Sequence, residues 1–330
     1  MKVAINGFGR IGRVLFRIAF DRGVDIVAIN DIHGAKNAAY MLKYDTVYGR
    51  YNKEVLVKGN NLVVDGKIIP VISEKKLNKL PWKKLGVDIV IESTGVFRDP
   101  REVKEHLKKG AKYVIITAPT KGKKPDITVV PGVNSEKLNK KHKIISVASC
   151  TTNCLVPIVK VLNDKYKIKR AMMTTIHAYT NDQVLQDSYH GKPRRGRASA
   201  QNIIPASTGA SESVVEVIPS LLGKINGLAI RVPVICGSLI DLTAELKNNF
   251  TVKEVNKEFK ELSEGKMKGI LGYSEEPMVS SDVIGDSRSG VIDSLTTSKD
   301  GNLIKILAWY DNEYGYSSRV VDVIKQIEGM

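Results

Sequence analysis

Apolar residues follow two different patterns along the chain, and the change comes near residue 150. Before it, short runs that are apolar on both faces alternate with stretches of helical spacing. Val3-Ala4-Ile5-Asn6 predicts a strand, and Ile11, Val14, Leu15, Ile18 and Ala19, at i, i+3, i+4, i+7 and i+8, predict a buried helix face after it. Asp25–Asn30, Leu62–Val64, Val87–Glu92 and Lys112–Thr117 read as further strands, with a helix over Arg101–Lys109 between the last two. Doubly apolar strands separated by helices suit a parallel sheet covered on both faces, whose ligands sit at the strand C-termini. After residue 150 the predicted strands, 171–180, 227–235, 238–246 and 303–310, are longer and partly alternate. They predict a mixed or antiparallel sheet with one open face, hence a second domain, followed by a helix over Ser318–Ile327. The expected class is α/β: a doubly wound parallel sheet plus an α+β domain.

Composition narrows the function. A chain of 330 residues, 42% hydrophobic and 26% charged, can bury core enough for two domains. Its three cysteines, Cys150, Cys154 and Cys236, cannot build a disulfide framework and include no CxxC pair for zinc, so a reducing compartment and no metal are expected. No signal-like or membrane-length apolar run is present in the sequence, and the expected location is cytoplasmic, with no membrane partner. The excess of 51 Lys and Arg over 35 Asp and Glu gives +16, which suits either nucleic acid or small phosphorylated anions. Lysines such as Lys75, Lys76, Lys104 and Lys108 scatter over turns and polar helix faces without interleaved aromatics, so nucleic acid is not expected as the main partner.

Gly7-Phe8-Gly9-Arg10-Ile11-Gly12 lies between a predicted strand and a predicted helix. In that setting the glycines allow a tight turn, backbone approach to a pyrophosphate and close helix–strand packing, so Gly9, Arg10 and Ile11 are expected at a bound dinucleotide. Asp31, at the end of the next strand, would accept hydrogen bonds from ribose hydroxyls and repel a 2′-phosphate, which argues for NAD over NADP. Thr94 and Thr117 occupy further strand ends and are expected to line the cofactor crevice. This half therefore reads as a Rossmann-type domain.

Cys150 falls between the apolar run Ile144–Ala148 and a helix-like stretch from Cys154 to Leu162. A cysteine at a strand-to-helix junction meets a helix dipole and unpaired N–H groups, both of which favour thiolate, so Cys150 is a candidate nucleophile. A buried small hydrophobe is the other reading of the same residue. His177 could supply the partner imidazole, while His33, His106, His142 and His190 fall in polar loops or on helix faces.

Several blocks in order resemble the phosphorylating, NAD-dependent glyceraldehyde-3-phosphate dehydrogenases of glycolysis along the whole chain. They are Ala4–Arg13, Ala148–Cys154, His177–Gln183, Ser207–Ala210, Arg231–Pro233 and Trp309–Tyr316. The resemblance implies an NAD-binding domain at 1–148, joined by the helix 316–330, and a catalytic domain at 149–315. It implies that Cys150 and His177 are catalytic, forming a thiohemiacetal and then a thioester that inorganic phosphate displaces. Thr180, Asp182, Arg195 and Arg231 would hold the phosphate of glyceraldehyde 3-phosphate. Ser149, Thr151, Thr208 and Gly209 would hold the attacking phosphate, and Asn312 the nicotinamide carboxamide. For Arg195, inside Lys192-Pro193-Arg194-Arg195-Gly196-Arg197, a solvated basic loop is the competing reading. A homotetramer is implied, as is an erythrose-4-phosphate dehydrogenase as the alternative activity; a basic NAD- or RNA-binding protein is the alternative of another class. The chain departs from the family at Ser188-Tyr189, where many NAD-specific members resemble Leu-Pro, which bears on tolerance of NADP.

Overall fold

Strand β1 (Lys2–Asn6) carries three consecutive fully buried residues, Val3, Ala4 and Ile5, and such a strand belongs in the middle of a sheet covered on both faces. The computed structural model describes residues 1–330 and separates them into two units, Met1–Ser149 with Ser317–Met330, and Cys150–Tyr316.

In the first unit β1 is followed by α1 (Arg10–Asp21), β2 (Asp25–Asn30), α2 (Gly34–Lys43), β3 (Val55–Lys58), β4 (Asn61–Val64) and β5 (Lys67–Ile72). Then come α3 (Trp82–Leu85), β6 (Ile89–Glu92), α4 (Pro100–Lys108), β7 (Tyr113–Ile116), β8 (Ile127–Thr128) and β9 (Ile144–Ser146). The sheet order is β3-β4-β5-β2-β1-β6-β7-β9-β8. From β5 through β8 all neighbours pair in parallel. The expected parallel sheet carries one antiparallel edge, where β3, β4 and β5 form a meander. Its cause is local: Asp65 (φ 44°) and Gly66 (φ 79°) make a two-residue turn whose positive φ angles suit a hairpin. Helix α1 buries Val14, Leu15, Ile18 and Ala19, the face its spacing predicts.

The second unit opens with α5 (Cys150–Tyr166) and continues through β10 (Ile168–Ala178), β11 (Ile204–Ala206), α6 (Ala210–Val217), β12 (Ile225–Val232) and β13 (Ser238–Leu246). It ends with α7 (Val252–Glu264), β14 (Leu271–Ser274), β15 (Gly290–Asp300), β16 (Leu303–Tyr310) and the start of α8 (Tyr314–Glu328). Seven strands in the order β11-β12-β10-β13-β16-β15-β14 make a mixed sheet, parallel at β10–β12 and β14–β15 and antiparallel elsewhere. Burial alternates along β13, so one face of the sheet is core and the other open. Helix α5 is apolar nearly all round and is buried along most of its length, Pro157 included. No helix is long and apolar enough to cross a membrane.

Candidate active site

The candidate nucleophile is set by its backbone. After β9, Ala148 adopts φ 52°, a left-handed conformation that costs a non-glycine residue about 1 kcal/mol, and two residues later α5 begins at Cys150 itself. The thiol therefore stands in the first turn of a 17-residue helix, at the positive end of its dipole. His177, near the end of β10, brings Nε2 to 3.4 Å from Cys150 Sγ.

Strand register supplies the next member. Arg231 on β12 is the parallel-ladder partner of His177, and its Nη1 lies 2.9 Å from His177 Nδ1, 3.0 Å from the Ala178 carbonyl and 3.3 Å from Thr180 Oγ1. His177 Nδ1 is also 2.7 Å from the Ala178 carbonyl oxygen. A proton on Nδ1 donates to that carbonyl and leaves Nε2 bare toward the thiol. A bare Nδ1 instead accepts from Arg231. Tyr310 closes the other side: its hydroxyl is 3.0 Å from Thr151 Oγ1 and 2.8 Å from Thr175 Oγ1, and its ring meets His177 edge-on.

Burial pushes the Cys150 thiol up, while Arg231, the Thr151 hydroxyl and backbone N–H groups pull it back. Burial and then Arg231 lower His177 to about 3. The two groups thus resist charging singly and titrate as a pair, since passing the thiol proton to Nε2 sets opposite charges side by side.

Beyond β10 the chain folds back on itself and gathers a polar cluster. Thr180 Oγ1 donates to Asp182 Oδ1 at 2.6 Å, Arg195 Nη1 pairs with the other oxygen of Asp182, and Arg195 Nη2 donates to the Ser207 carbonyl at 3.2 Å. The Arg195 side chain is only 12% exposed, unlike its exposed neighbours Arg194 and Arg197, so it is not part of a freely solvated basic loop. Burial opposes the charge of Asp182, but the Thr180 hydroxyl, Arg195 and Arg231 together hold its carboxyl below the usual range. The four residues predicted as one phosphate subsite are thereby brought together, with two guanidinium groups among them. Ser188 and Tyr189 lie on the same excursion and are exposed.

The other predicted anion group is more dispersed. Thr151 is buried with its hydroxyl on Tyr310, Thr208 Oγ1 accepts from Ala210 N at 3.3 Å, and Gly209 is the N-cap of α6. Ser149 immediately precedes α5, and α5 packs against α6. Asn312 is buried, with Oδ1 accepting from Ser238 Oγ at 2.8 Å.

The remaining predicted residues lie in the first unit. Gly7 takes φ 94°, and a Cβ there would come within 2.5 Å of Thr94 N; a Cβ on Gly12 would meet the Gly7 carbonyl oxygen at 2.2 Å. Around Gly9, the N-cap of α1, a Cβ would meet nothing within 4 Å. Two glycines are required by packing and the third faces open space, which fits a phosphate approaching the backbone at a helix N-terminus. Asp31 accepts from Phe8 N at 2.9 Å and from His33 N at 2.9 Å, which fixes its carboxylate at the end of β2. Thr94 and Thr117 stand at the ends of β6 and β7, while Ile11 lies in the first turn of α1. Arg10 is committed within its unit, pairing with Asp45 at 2.5 Å and lying over the Tyr48 ring. No group of three or more His, Cys, Asp or Glu is arranged to hold a metal ion.

Sequence reading missed Tyr310 and Ser238 as members of the candidate site's polar network. Tyr310 could have been found within the block Trp309–Tyr316; Ser238 has no local signal, since only the pairing of β10 with β13 sets its hydroxyl 3.1 Å from Ala178 N.

Residues 1–100 match the family description "Glyceraldehyde 3-phosphate dehydrogenase, NAD binding domain", and residues 149–312 match "Glyceraldehyde 3-phosphate dehydrogenase, C-terminal domain". The chain is similar to glyceraldehyde-3-phosphate dehydrogenase 1 of Bacillus subtilis (strain 168), 54% identical over 330 residues covering 99% of this chain and 98% of the relative. It is also similar to the glyceraldehyde-3-phosphate dehydrogenases of Geobacillus stearothermophilus, 52% identical over 99% of this chain and 98% of the relative, and Thermotoga maritima, 53% identical over 98% of each.

Proposed function

Because the chain belongs to the glyceraldehyde-3-phosphate dehydrogenase family, we propose that it oxidises D-glyceraldehyde 3-phosphate to 1,3-bisphosphoglycerate with NAD and inorganic phosphate, in glycolysis or gluconeogenesis. The observation that carries this reading is the 3.4 Å contact of Cys150 and His177 beside the cluster of Thr180, Asp182, Arg195 and Arg231. Cys150 attacks the aldehyde carbon as thiolate, and His177 Nε2 provides the proton for the forming oxyanion. His177 then takes the hydroxyl proton back as the thiohemiacetal is oxidised to a thioester. NAD, for which Gly9, Arg10, Ile11, Asp31, Thr94 and Thr117 of the first unit are the proposed binding residues, would supply the hydride acceptor when bound. Arg195 and Arg231 hold the substrate phosphate, for which a guanidinium is a bidentate partner. Ser149, Thr151, Thr208 and Gly209 receive inorganic phosphate, whose oxygen attacks the thioester carbon. The C–S bond breaks and Cys150 leaves as thiolate.

The decisive experiment omits phosphate. With aldehyde and NAD alone, NADH should form in one burst per active site; with phosphate, turnover should be steady and acyl phosphate near-stoichiometric. Steady NADH formation without phosphate, with free acid as product, would overturn the phosphorylating assignment in favour of an erythrose-4-phosphate type of oxidation.

We also propose a homotetramer located in the cytoplasm. In support, the segment from Thr180 to Ile203 leaves Leu185, Tyr189 and Ile203 exposed, Tyr189 to 97%, and the open sheet face leaves Met172 and Leu228 exposed. Light scattering that returns the 36.3 kDa monomer mass would refute the assembly.

A further inference from the structure

Strand β6 ends in a buried acid with no cation beside it. Ile89, Val90 and Ile91 are fully buried, and Glu92 follows them at 2% exposure. Its carboxyl faces donors only. Oε2 accepts from Asn6 Nδ2 at 2.6 Å and lies 3.1 Å from His106 Nε2; Oε1 accepts from Thr94 N at 3.0 Å and from the Thr94 hydroxyl. His106, on α4, is completely buried, and Trp82 Nε1 donates to its Nδ1 at 2.9 Å. The indole N–H can only donate, so the His106 proton sits on Nε2 and points at Glu92. His106 is thus a neutral donor held in one tautomer and not the cation of an ion pair.

The same network crosses the strand ends. Asn6 Oδ1 accepts from Asn30 Nδ2 at 2.7 Å, and Asn30 Oδ1 accepts from Glu74 N at 2.9 Å. Next to it, Ser93 Oγ donates to the Gly7 carbonyl at 2.7 Å, and Thr94 Oγ1 accepts from Val96 N at 3.1 Å. The C-terminal ends of β1, β2 and β6 are therefore tied to one buried carboxyl. Burying that group is costly, and the cost is offset only because its oxygens satisfy Asn6, His106 and Thr94, which would otherwise be buried without an acceptor. What the acid adds is geometry. Thr94 lies against Gly7 so closely that a single added methyl would meet its nitrogen at 2.5 Å, so the place of Thr94 decides the shape of the glycine turn.

We infer that Glu92, oriented by the Trp82–His106 pair, is a positioning residue for the dinucleotide site: it anchors Thr94 and through Thr94 sets the turn Gly7–Gly12. This rests on the reading that the turn binds NAD. The variants Glu92→Gln, Thr94→Val and the double variant, together with His106→Gln and His106→Leu, test it by calorimetric NAD binding to the full chain. Glu92→Gln and Thr94→Val should each weaken NAD binding by about tenfold, the scale of one lost hydrogen bond to a charged group, and the double variant should be no weaker than either. His106→Gln keeps an acceptor for Trp82 and a donor for Glu92 and should hold affinity near wild type, whereas His106→Leu should lose it as Glu92→Gln does. A cooperative urea transition and a far-UV circular dichroism spectrum like those of the wild type verify that each variant is folded. Folded variants that bind NAD like the wild type, or additive losses in the double variant, would overturn the inference. For any Glu92 variant that fails to fold, equal NAD affinity of His106→Gln and His106→Leu would overturn it. A wild type that binds no NAD would instead overturn the functional reading, and this inference with it.

Discussion

Replacing His177 by asparagine isolates the strongest interaction of the candidate centre. Lowering His177 from 6.5 to about 3 means that burial and Arg231 together oppose its charged form by about 5 kcal/mol. A thiolate 3.4 Å from Nε2 attracts the imidazolium by about 5 kcal/mol at an effective dielectric constant of about 20. The attraction offsets what burial and Arg231 cost the imidazolium; the cost of ionising Cys150 remains, raised by burial and reduced by Arg231, the Thr151 hydroxyl and backbone N–H groups, and the thiolate is reached by an internal proton transfer to His177. Asparagine can hydrogen-bond but cannot take that proton. Even with half the attraction realised, alkylation of Cys150 by a neutral haloacetamide at pH 7 should slow by about a hundredfold in His177→Asn. The measurement is the second-order alkylation rate from pH 5 to 10. A variant profile superimposed on the wild type would refute the pairing. The converse experiment uses Cys150→Ser, which offers no anion: the His177 ring should stay neutral by NMR from pH 8 down to about 4, and a midpoint near 6.5 would refute the reasoning from burial.

Four further outcomes are expected. In the Cys150→Ser background, the His177 folded value of about 3 lies below the unfolded 6.5. Its stabilisation is therefore full above pH 6.5 and lost as pH falls, by about 3 kcal/mol at pH 4. Urea unfolding at pH 7 and pH 4 should show that loss, and His177→Asn should remove it. Asp31→Asn keeps an acceptor for Phe8 N but loses the charge that repels a 2′-phosphate, so it should narrow the NAD over NADP advantage in kcat/KM; equal efficiencies in the wild type would defeat this. Cys154→Ser, whose thiol is fully buried on α5 next to Gly290, should lower Tm by a few degrees and leave the alkylation rate of Cys150 within about twofold, because only buried polarity changes. Thr208→Ala should raise KM for inorganic phosphate more than KM for aldehyde, and equal effects on both would remove Thr208 from the phosphate subsite.

Elements whose signal is carried by their own residues were legible. Strands β13 and β16 occupy 238–246 and 303–310 as predicted, because long apolar stretches identify themselves. Helix α7 was passed over: it buries only Val255 and Phe259, too narrow a stripe to stand out, although Thr251 and Glu254 form a capping box at its start. The Asp65-Gly66 turn carries a local hairpin signal next to the predicted strand Leu62–Val64, and it marks the antiparallel edge of the sheet. Chemistry was legible by residue type and not by neighbour. Cys150 and His177 are 27 positions apart, and their contact depends on where α5 and β10 lead the chain. Arg231 reaches His177 through strand register, a property of two strands together. His106 read as a residue on a polar helix face, yet it is wholly buried, since Trp82 and Glu92 satisfy both ring nitrogens and neither partner is visible from the local pattern.

The division of the chain has a consequence for its synthesis. The first unit is built from residues 1–149 and 317–330, with the whole second unit between them. Along α8 the side chains of Val320, Val321, Val323, Ile324 and Ile327 are buried, Asp322 pairs with Arg22 at 2.8 Å, and Gln326 donates to the Ser135 carbonyl at 2.6 Å. A ribosome has therefore delivered every residue of the second unit before it delivers residues 317–330, the part of α8 and the residues after it that complete the first. During that interval the earlier half waits with the apolar seat of α8 uncovered, although its sheet is already available to fold. The segment that follows the second unit in the chain thus decides when the half with the glycine turn is finished.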